Sequence, residues 1–258
     1  MSWTDLVQEP GEHSHFVQLY QDLDFLAEAV RDYVGTGLRR GEAAVIIATP
    51  QHRARFVEGL EPLVERGTLR VLDAEATLAC FMVDGMPDWR RFRETVGGLI
   101  AELRLQYPVV RAYGEMVDVL WQRGEREAAI RLEEYWNELG KLQTFSLFCA
   151  YQLDPLDKDA YGGALESVCK VHTHLIPARD YRGFNEAVNS ATKKVLDQPL
   201  AQILLSLAVN HRQPTQMPAG QATLFWLQQN MPRTAEKVLE EVRTLRVLSE
   251  LRASTAGK

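Results

Sequence analysis

An α/β fold is predicted for residues 1–178, a three-layer sandwich of helices around a mostly parallel sheet without a phosphate-binding loop; an all-helical C-terminal extension follows over residues 179–258. Three observations predict it. Short apolar runs such as Ala43–Ala48 and Phe145–Tyr151 have the composition of buried strands. Longer segments between them repeat apolar residues every three or four positions, as a helix lying on a sheet does. Past Pro177 no strand-like run recurs, and the charge changes sign. Residues 179–258 hold 11 Lys+Arg against 7 Asp+Glu, or +4, so with a net charge of −6 for the whole chain residues 1–178 carry −10. The boundary is expected between Pro177 and Tyr181.

In chain order, Pro10 to His15 reads as a polar opening segment, and Leu19, Tyr20, Leu23, Leu26, Val30 and Tyr33 have helical spacing up to Gly35 or Gly37. Arg39 to Glu42 turns the chain into the Ala43–Ala48 strand. Thr49-Pro50 is an N-cap followed by proline at the first helical position, so a helix is expected to about Gly59 or Leu63. Leu69–Asp73 is a second strand, Ala76–Met82 a short helix, and Asp84-Gly85-Met86-Pro87-Asp88 a loop. Trp89–Tyr107 reads as one helix before the strand at Val109–Tyr113. That strand leads through Gly114-Glu115-Met116-Val117-Asp118 to an amphipathic helix whose stripe is Ala128, Ala129, Leu132, Tyr135, Trp136 and Leu139, with Glu127 placed to pair with Arg131. Tyr161–His174 is expected to be helical and closed by Pro177. The extension shows helical patches at about 184–196, 200–210 and 222–251.

With 258 residues, 46% of them hydrophobic, the chain can bury a substantial core. No window approaches the ~20 apolar residues of a membrane helix, and the first residues lack the basic start and apolar core of a signal peptide. A cytoplasmic location without membrane contact is the expectation. Cys80, Cys149 and Cys169 are odd in number and sit among apolar residues, as reduced buried thiols do.

Motifs for standard chemistries are missing. There is no Gly-x-x-x-x-Gly-Lys-Ser/Thr, and the turn after Ala48 reads Thr49-Pro50-Gln51-His52-Arg53, with no lysine to reach a phosphate. An anion could still meet the free backbone N–H groups there, with His52 and Arg53 beside it; a capped surface helix is the plainer reading. His13-x-His15 and Cys169-x-x-His172-x-His174 contain metal-ligand residue types in a spacing that matches no recognised zinc signature. His172 and His174 are expected in the last turn of a helix, where the dipole favours an imidazolium; neither metal nor cofactor is expected. Glu115 and Asp118 fall where a strand ends, the edge at which open α/β sheets bind ligands. There is no Gly-x-Ser-x-Gly elbow, and a Glu115 bonded to backbone N–H groups is preferred to a catalytic one.

Taken in order, His13–Tyr20 (HSHFVQLY), Gly41–His52 (GEAAVIIATPQH), Leu72–Ala74, Phe81–Pro87 (FMVDGMP), Tyr113–Trp121 (YGEMVDVLW), Arg131–Leu139 (RLEEYWNEL), Phe145–Tyr151 (FSLFCAY), and Cys169 with His172 resemble the MEDS sensory domain family over roughly residues 12–178. The resemblance implies a RecA-like or KaiC-like sandwich that has lost its phosphate loop. It implies a signalling module that recognises a small organic molecule, with a partner such as a histidine kinase or a transcription regulator. Combined with the polar and aromatic side chains at its motif positions, it points to a pocket of His13, His15, Glu115, Asp118, Trp121, Asn137 and His172.

The 80-residue tail is too short for a kinase core, and His211-Arg212-Gln213-Pro214 lacks a phosphoacceptor's spacing. With no zinc finger or helix-turn-helix and only +4 of charge, direct nucleic-acid binding is not expected; output through a protein partner or a second copy is. Two alternatives stand beside this reading. One is an ATP- or anion-binding switch at Thr49, His52 and Arg53 with Glu115 activating water. The other is an adaptor without a ligand.

Overall fold

Ala43–Ala48 is buried at every position and lies inside a sheet, paired in parallel with Leu69–Asp73 on one side and Val110–Gly114 on the other. In this computed structural model the strands are β1 (His15–Tyr20), β2 (Ala43–Ala48), β3 (Leu69–Asp73), β4 (Met82–Val83), β5 (Met86–Pro87), β6 (Val110–Gly114), β7 (Ser146–Gln152) and β8 (His174–Ile176). The main sheet has the order β3-β2-β6-β7-β1-β8, with parallel ladders from β3 through β1. The structure describes residues 3–154, 156, 165–176, 181–210 and 215–256. Residues 177–180 of the boundary expected between Pro177 and Tyr181, the start of the expected Tyr161–His174 helix, and His211–Pro214 lie outside them. The chain divides into a first compact unit of Met1–Gln152 with Val171–His174 and a second of Leu153–Lys170 with Leu175–Lys258.

The predicted α/β class holds, and several elements differ in detail. His15–Tyr20 is a strand, not a polar lead into a helix. Its six residues are all buried, and Tyr20 pairs with Gln152 at the far end of β7. The helix that follows, Leu23–Arg39, starts where Asp22 accepts hydrogen bonds from the N–H groups of Asp24 and Phe25. It buries Leu26, Val30, Tyr33 and Val34, and Gly41 at φ +78° turns the chain into β2. The Asp84-Gly85 loop is a tight hairpin turn between β4 and β5, both residues having positive φ. The helical stretch from Trp89 to Arg104 contains a π-helical segment at Arg93–Gly97. Arg131 pairs with Glu134 rather than Glu127, and Cys80 is exposed, unlike buried Cys149 and Cys169.

Alternation along β1 and β7 sorts side chains onto two faces. Phe16 and Phe148 stack 5.0 Å apart beneath the edge-on ring of Tyr33, and Tyr113 meets Phe148 at 5.4 Å. The opposite face carries His15, Cys149 and Tyr151 toward the helix Arg126–Leu142. Arg111 is also buried, 1% exposed. It donates to the carbonyls of Val7, Gln8 and Tyr33 and pairs with Glu42 at 2.5 Å. Gly37 makes the room, because a Cβ there would stand 2.5 Å from the Arg111 Nε.

Leu165–Val171 is helical, and His174 lies in β8 rather than in a helical last turn. Among the described residues of the second unit, four helices follow: Tyr181–Val195, Gln198–Asn210, Ala219–Asn230 and Pro232–Ala256, the last two separated at Met231-Pro232 rather than continuous. Phe184, Val188, Phe225, Val238 and Val242 form their core. Among the described residues no helix is long and apolar enough to cross a membrane.

Candidate functional site

The helix Arg126–Leu142 begins after Gly124, whose φ of +80° reverses the chain, and turns Ala129, Leu132, Glu133 and Trp136 inward. An inward glutamate requires partners, since an isolated buried carboxylate costs several kcal/mol or more. Glu133, fully buried, has four. Its Oε1 accepts from the Tyr151 hydroxyl at 2.8 Å and lies 3.3 Å from His172 Nε2; its Oε2 lies 3.1 Å from His15 Nε2 and 3.5 Å from Cys149 Sγ. His15 Nε2 is also 3.4 Å from Cys149 Sγ, and the rings of His15 and His172 are 4.2 Å apart.

One turn along the helix, Asn137 orients this group. Its Nδ2 donates to the Val171 carbonyl at 2.8 Å, which leaves Oδ1 to accept from His15 Nδ1 at 2.9 Å. His15 therefore carries its proton on Nδ1 and presents Nε2 to Glu133 and Cys149. Burial and the neighbouring His172 hold the His15 pKa below its ordinary value. Burial alone would raise the Glu133 carboxyl, but the two histidines outweigh it and keep that group well below the usual carboxylate range. Burial, together with the Glu133 charge, pushes the Cys149 thiol up.

A cavity of about 360 Å³ opens against this cluster, lined by His13, Ser14, His15, Trp136, Asn137, Gly140, Lys141, Phe145 and Leu147. His13 is exposed at its rim, whereas His15 is 5% exposed and belongs to both cavity and cluster. The residues sit at the amino-terminal ends of β1 and β7. At the carboxyl edge, where the pocket was expected, Glu115 and Asp118 belong to a separate polar network.

In that network Glu115 Oε1 accepts the Thr49 backbone N–H at 2.5 Å, and Oε2 takes His52 Nδ1 at 2.8 Å and the Tyr113 hydroxyl at 3.1 Å. The anion at the start of the helix Pro50–Phe56 is thus the protein's own carboxylate. Arg53 turns to Asp73 at 3.2 Å. Asp118 accepts from Tyr20, Gln122 and the Gln152 N–H, with burial raising its pKa, and Trp121 packs edge-on against Tyr151. Of the seven predicted pocket residues, His15, Asn137 and His172 come together, and His13 lines the cavity with His15 and Asn137. Glu115 and Asp118 belong to the second network, and Trp121 reaches Tyr151 from the side.

Sequence reasoning missed Glu133 and Cys149. The signal for Glu133 was its position: it lies four residues before Asn137 and next to Leu132 on the apolar stripe, so a helical wheel turns it inward. Cys149 alternates with Leu147 and Tyr151, which marks one face of β7.

The His52–Glu115 pair carries a pH prediction. Its hydrogen bond to Glu115 raises the His52 pKa, burial opposes this, and the Glu115 and Asp118 charges add to the rise. A histidine with a raised folded-state pKa stabilises fully below about pH 6.5, its unfolded value, and the contribution disappears as pH climbs through the folded value. Denaturation midpoints should therefore fall as the pH rises above about 6.5, and Glu115→Gln should flatten that slope. NMR titration of the His52 ring gives a direct check, and an apparent pKa at or below about 6.5 would refute the assignment.

No curated protein sequence significantly matches the chain. Residues 14–173 match the family model of MEDS, the methanogen/methylotroph, DcmR sensory domain. That segment contains every residue of both networks and most of the chain, and the protein belongs to the MEDS family of sensory domains.

Proposed function

We propose that the cavity at the amino-terminal ends of β1 and β7 binds a small organic molecule and that the chain acts as a sensing module, passing the bound state through its helical second unit to a regulatory partner. The observation that carries this reading is His15, whose ring forms both cavity wall and buried cluster, so that a molecule touching it acts on a hydrogen-bonded group in the core. The cavity has the size and character of a small-ligand site: Trp136, Phe145 and Leu147 supply apolar wall, while His13, Asn137 and Lys141 supply a few polar groups.

Leu200, Ile203 and Leu207 form an exposed apolar stripe on the helix Gln198–Asn210, which supports the second unit as the output side. Glu115, by contrast, is committed to three internal donors, which favours sensing over water activation.

Gly140 provides the test. A Cβ at this cavity-lining position would meet nothing within 4 Å. Gly140→Leu therefore fills the cavity while gaining about 0.5–1 kcal/mol of helix propensity. Isotope-labelled protein is titrated with short-chain alcohols, carboxylates and halogenated alkanes while the His13 and His15 ring signals are followed. Saturable shifts in the native protein, at least about tenfold weaker in Gly140→Leu, are expected; tenfold corresponds to ~1.4 kcal/mol. Binding that survives Gly140→Leu unchanged would place the ligand elsewhere. A panel without effect would favour an adaptor.

A further inference from the structure

We propose that His15, Cys149, His172 and Glu133 form a binding site for one borderline divalent transition-metal ion of the Zn²⁺ or Co²⁺ type. Their donor atoms all lie within 4.8 Å of one another. Tetrahedral zinc, with bonds near 2.0–2.1 Å to nitrogen or oxygen and 2.3 Å to sulfur, places its ligand atoms about 3.3–3.6 Å apart. The corresponding separations in this cluster are 3.1 Å for His15 Nε2 to Glu133 Oε2, 3.4 Å for His15 Nε2 to Cys149 Sγ, 3.5 Å for Cys149 Sγ to Glu133 Oε2, and 3.3 Å for His172 Nε2 to Glu133 Oε1. The first three join His15, Cys149 and one Glu133 oxygen and the last involves the other oxygen, so a single ion held by all four residues requires the Glu133 carboxylate or the His172 ring to shift within the 4.8 Å span of the donor atoms.

Donor chemistry points the same way. Two imidazoles, a thiolate and a carboxylate suit zinc or cobalt, whereas magnesium and calcium want oxygen shells. Binding M²⁺ releases the Cys149 thiol proton to solvent, leaving a thiolate and a carboxylate whose two negative charges balance the ion. A neutral total suits a site whose four residues are all buried.

The surrounding contacts hold the ligands in place. Asn137 fixes His15 by Nδ1 and leaves Nε2 facing the other donors, and the Tyr151 hydroxyl holds Glu133 Oε1. The four ligands come from β1, β7, the helix Arg126–Leu142 and the segment just before β8, so one ion would clamp both strands to that helix.

The site shares His15 with the cavity wall, and the experiment separates metal binding from small-molecule binding. Full-length protein, treated with chelator and desalted, is titrated with Co²⁺ while its absorption spectrum is recorded, and Zn²⁺ is then added in competition. The expected result is one equivalent per chain, with the near-ultraviolet charge-transfer band of a cobalt–thiolate bond. That band persists in a Cys80→Ser/Cys169→Ser protein, vanishes in Cys149→Ser, and is unchanged in Gly140→Leu even if small-molecule binding fails. Cobalt affinity drops at least about a hundredfold in His172→Gln and about 10–100-fold in Asn137→Leu. Folded protein that takes up neither Co²⁺ nor Zn²⁺ overturns the proposal. So does uptake without a thiolate band, or with a band that depends on Cys80 or Cys169. Should Cys149→Ser fail to fold, the native spectrum and the double cysteine variant decide the matter.

Discussion

Glu42→Ala should lower the unfolding free energy by about 3–5 kcal/mol, as removal of one partner from a buried pair does. Arg111 is 1% exposed, so without Glu42 its guanidinium keeps only the carbonyls of Val7, Gln8 and Tyr33 and the face of the Tyr33 ring. The uncompensated charge left inside the protein accounts for most of the loss. Chemical denaturation of the native protein and the variant measures it. Glu42→Gln should be less costly because it still accepts a hydrogen bond, and Arg111→Met in the Glu42→Ala background should recover part of the loss by removing the orphaned charge. A loss below about 1 kcal/mol for Glu42→Ala, typical of exposed pairs, would show that solvent reaches Arg111.

Glu133→Leu is the second large effect, again about 3–5 kcal/mol, measured with chelator present so that only the polypeptide is compared. Leucine is close in volume, so the cost arises from polar groups left behind. The Tyr151 hydroxyl and the Cys149 thiol are buried and lose their acceptor, and the two buried imidazoles lose the carboxylate charge beside them. Because the folded-state pKa of Glu133 is depressed, its stabilisation is present above about pH 4.5 and is lost as the pH falls through the folded value. The native protein should accordingly lose stability at acid pH more steeply than Glu133→Leu. A variant as stable as the native protein would mean that the cluster is held by packing alone.

How much of this could be read from the chain depends on the element. Ala43–Ala48 was legible because a continuous apolar run in a central parallel strand has no competing period. His15–Tyr20 was not, because a strand buried on both faces shows no alternation, and Leu19, Tyr20 and Leu23 happen to continue the spacing of the next helix. β8, three residues long, offers too little for any period to appear. The same limits govern the site. His15, Asn137 and His172 are visible as residue types, yet their meeting depends on β1 pairing with β7, a non-local event that spacing does not encode. Glu115 shows the opposite case. Its preference for a backbone N–H was readable, and the particular N–H, that of Thr49, follows from β2 lying beside β6.

The pairing of the first strand with the fifth long strand also sets an order of events during synthesis. His15 and Cys149 are 134 positions apart, and β1 has no earlier neighbour in the sheet than β7. Ribosomes add about 5–20 residues each second, so β1 emerges and waits for a time on the order of ten seconds or longer before its partner exists. During that interval its open backbone edge and the apolar faces of Phe16, Val17 and Leu19 are exposed to any other nascent strand or chaperone. A ribosome-bound chain halted before Ser146 has emerged should remain protease-sensitive at its amino terminus, and one released after Gln152 should not.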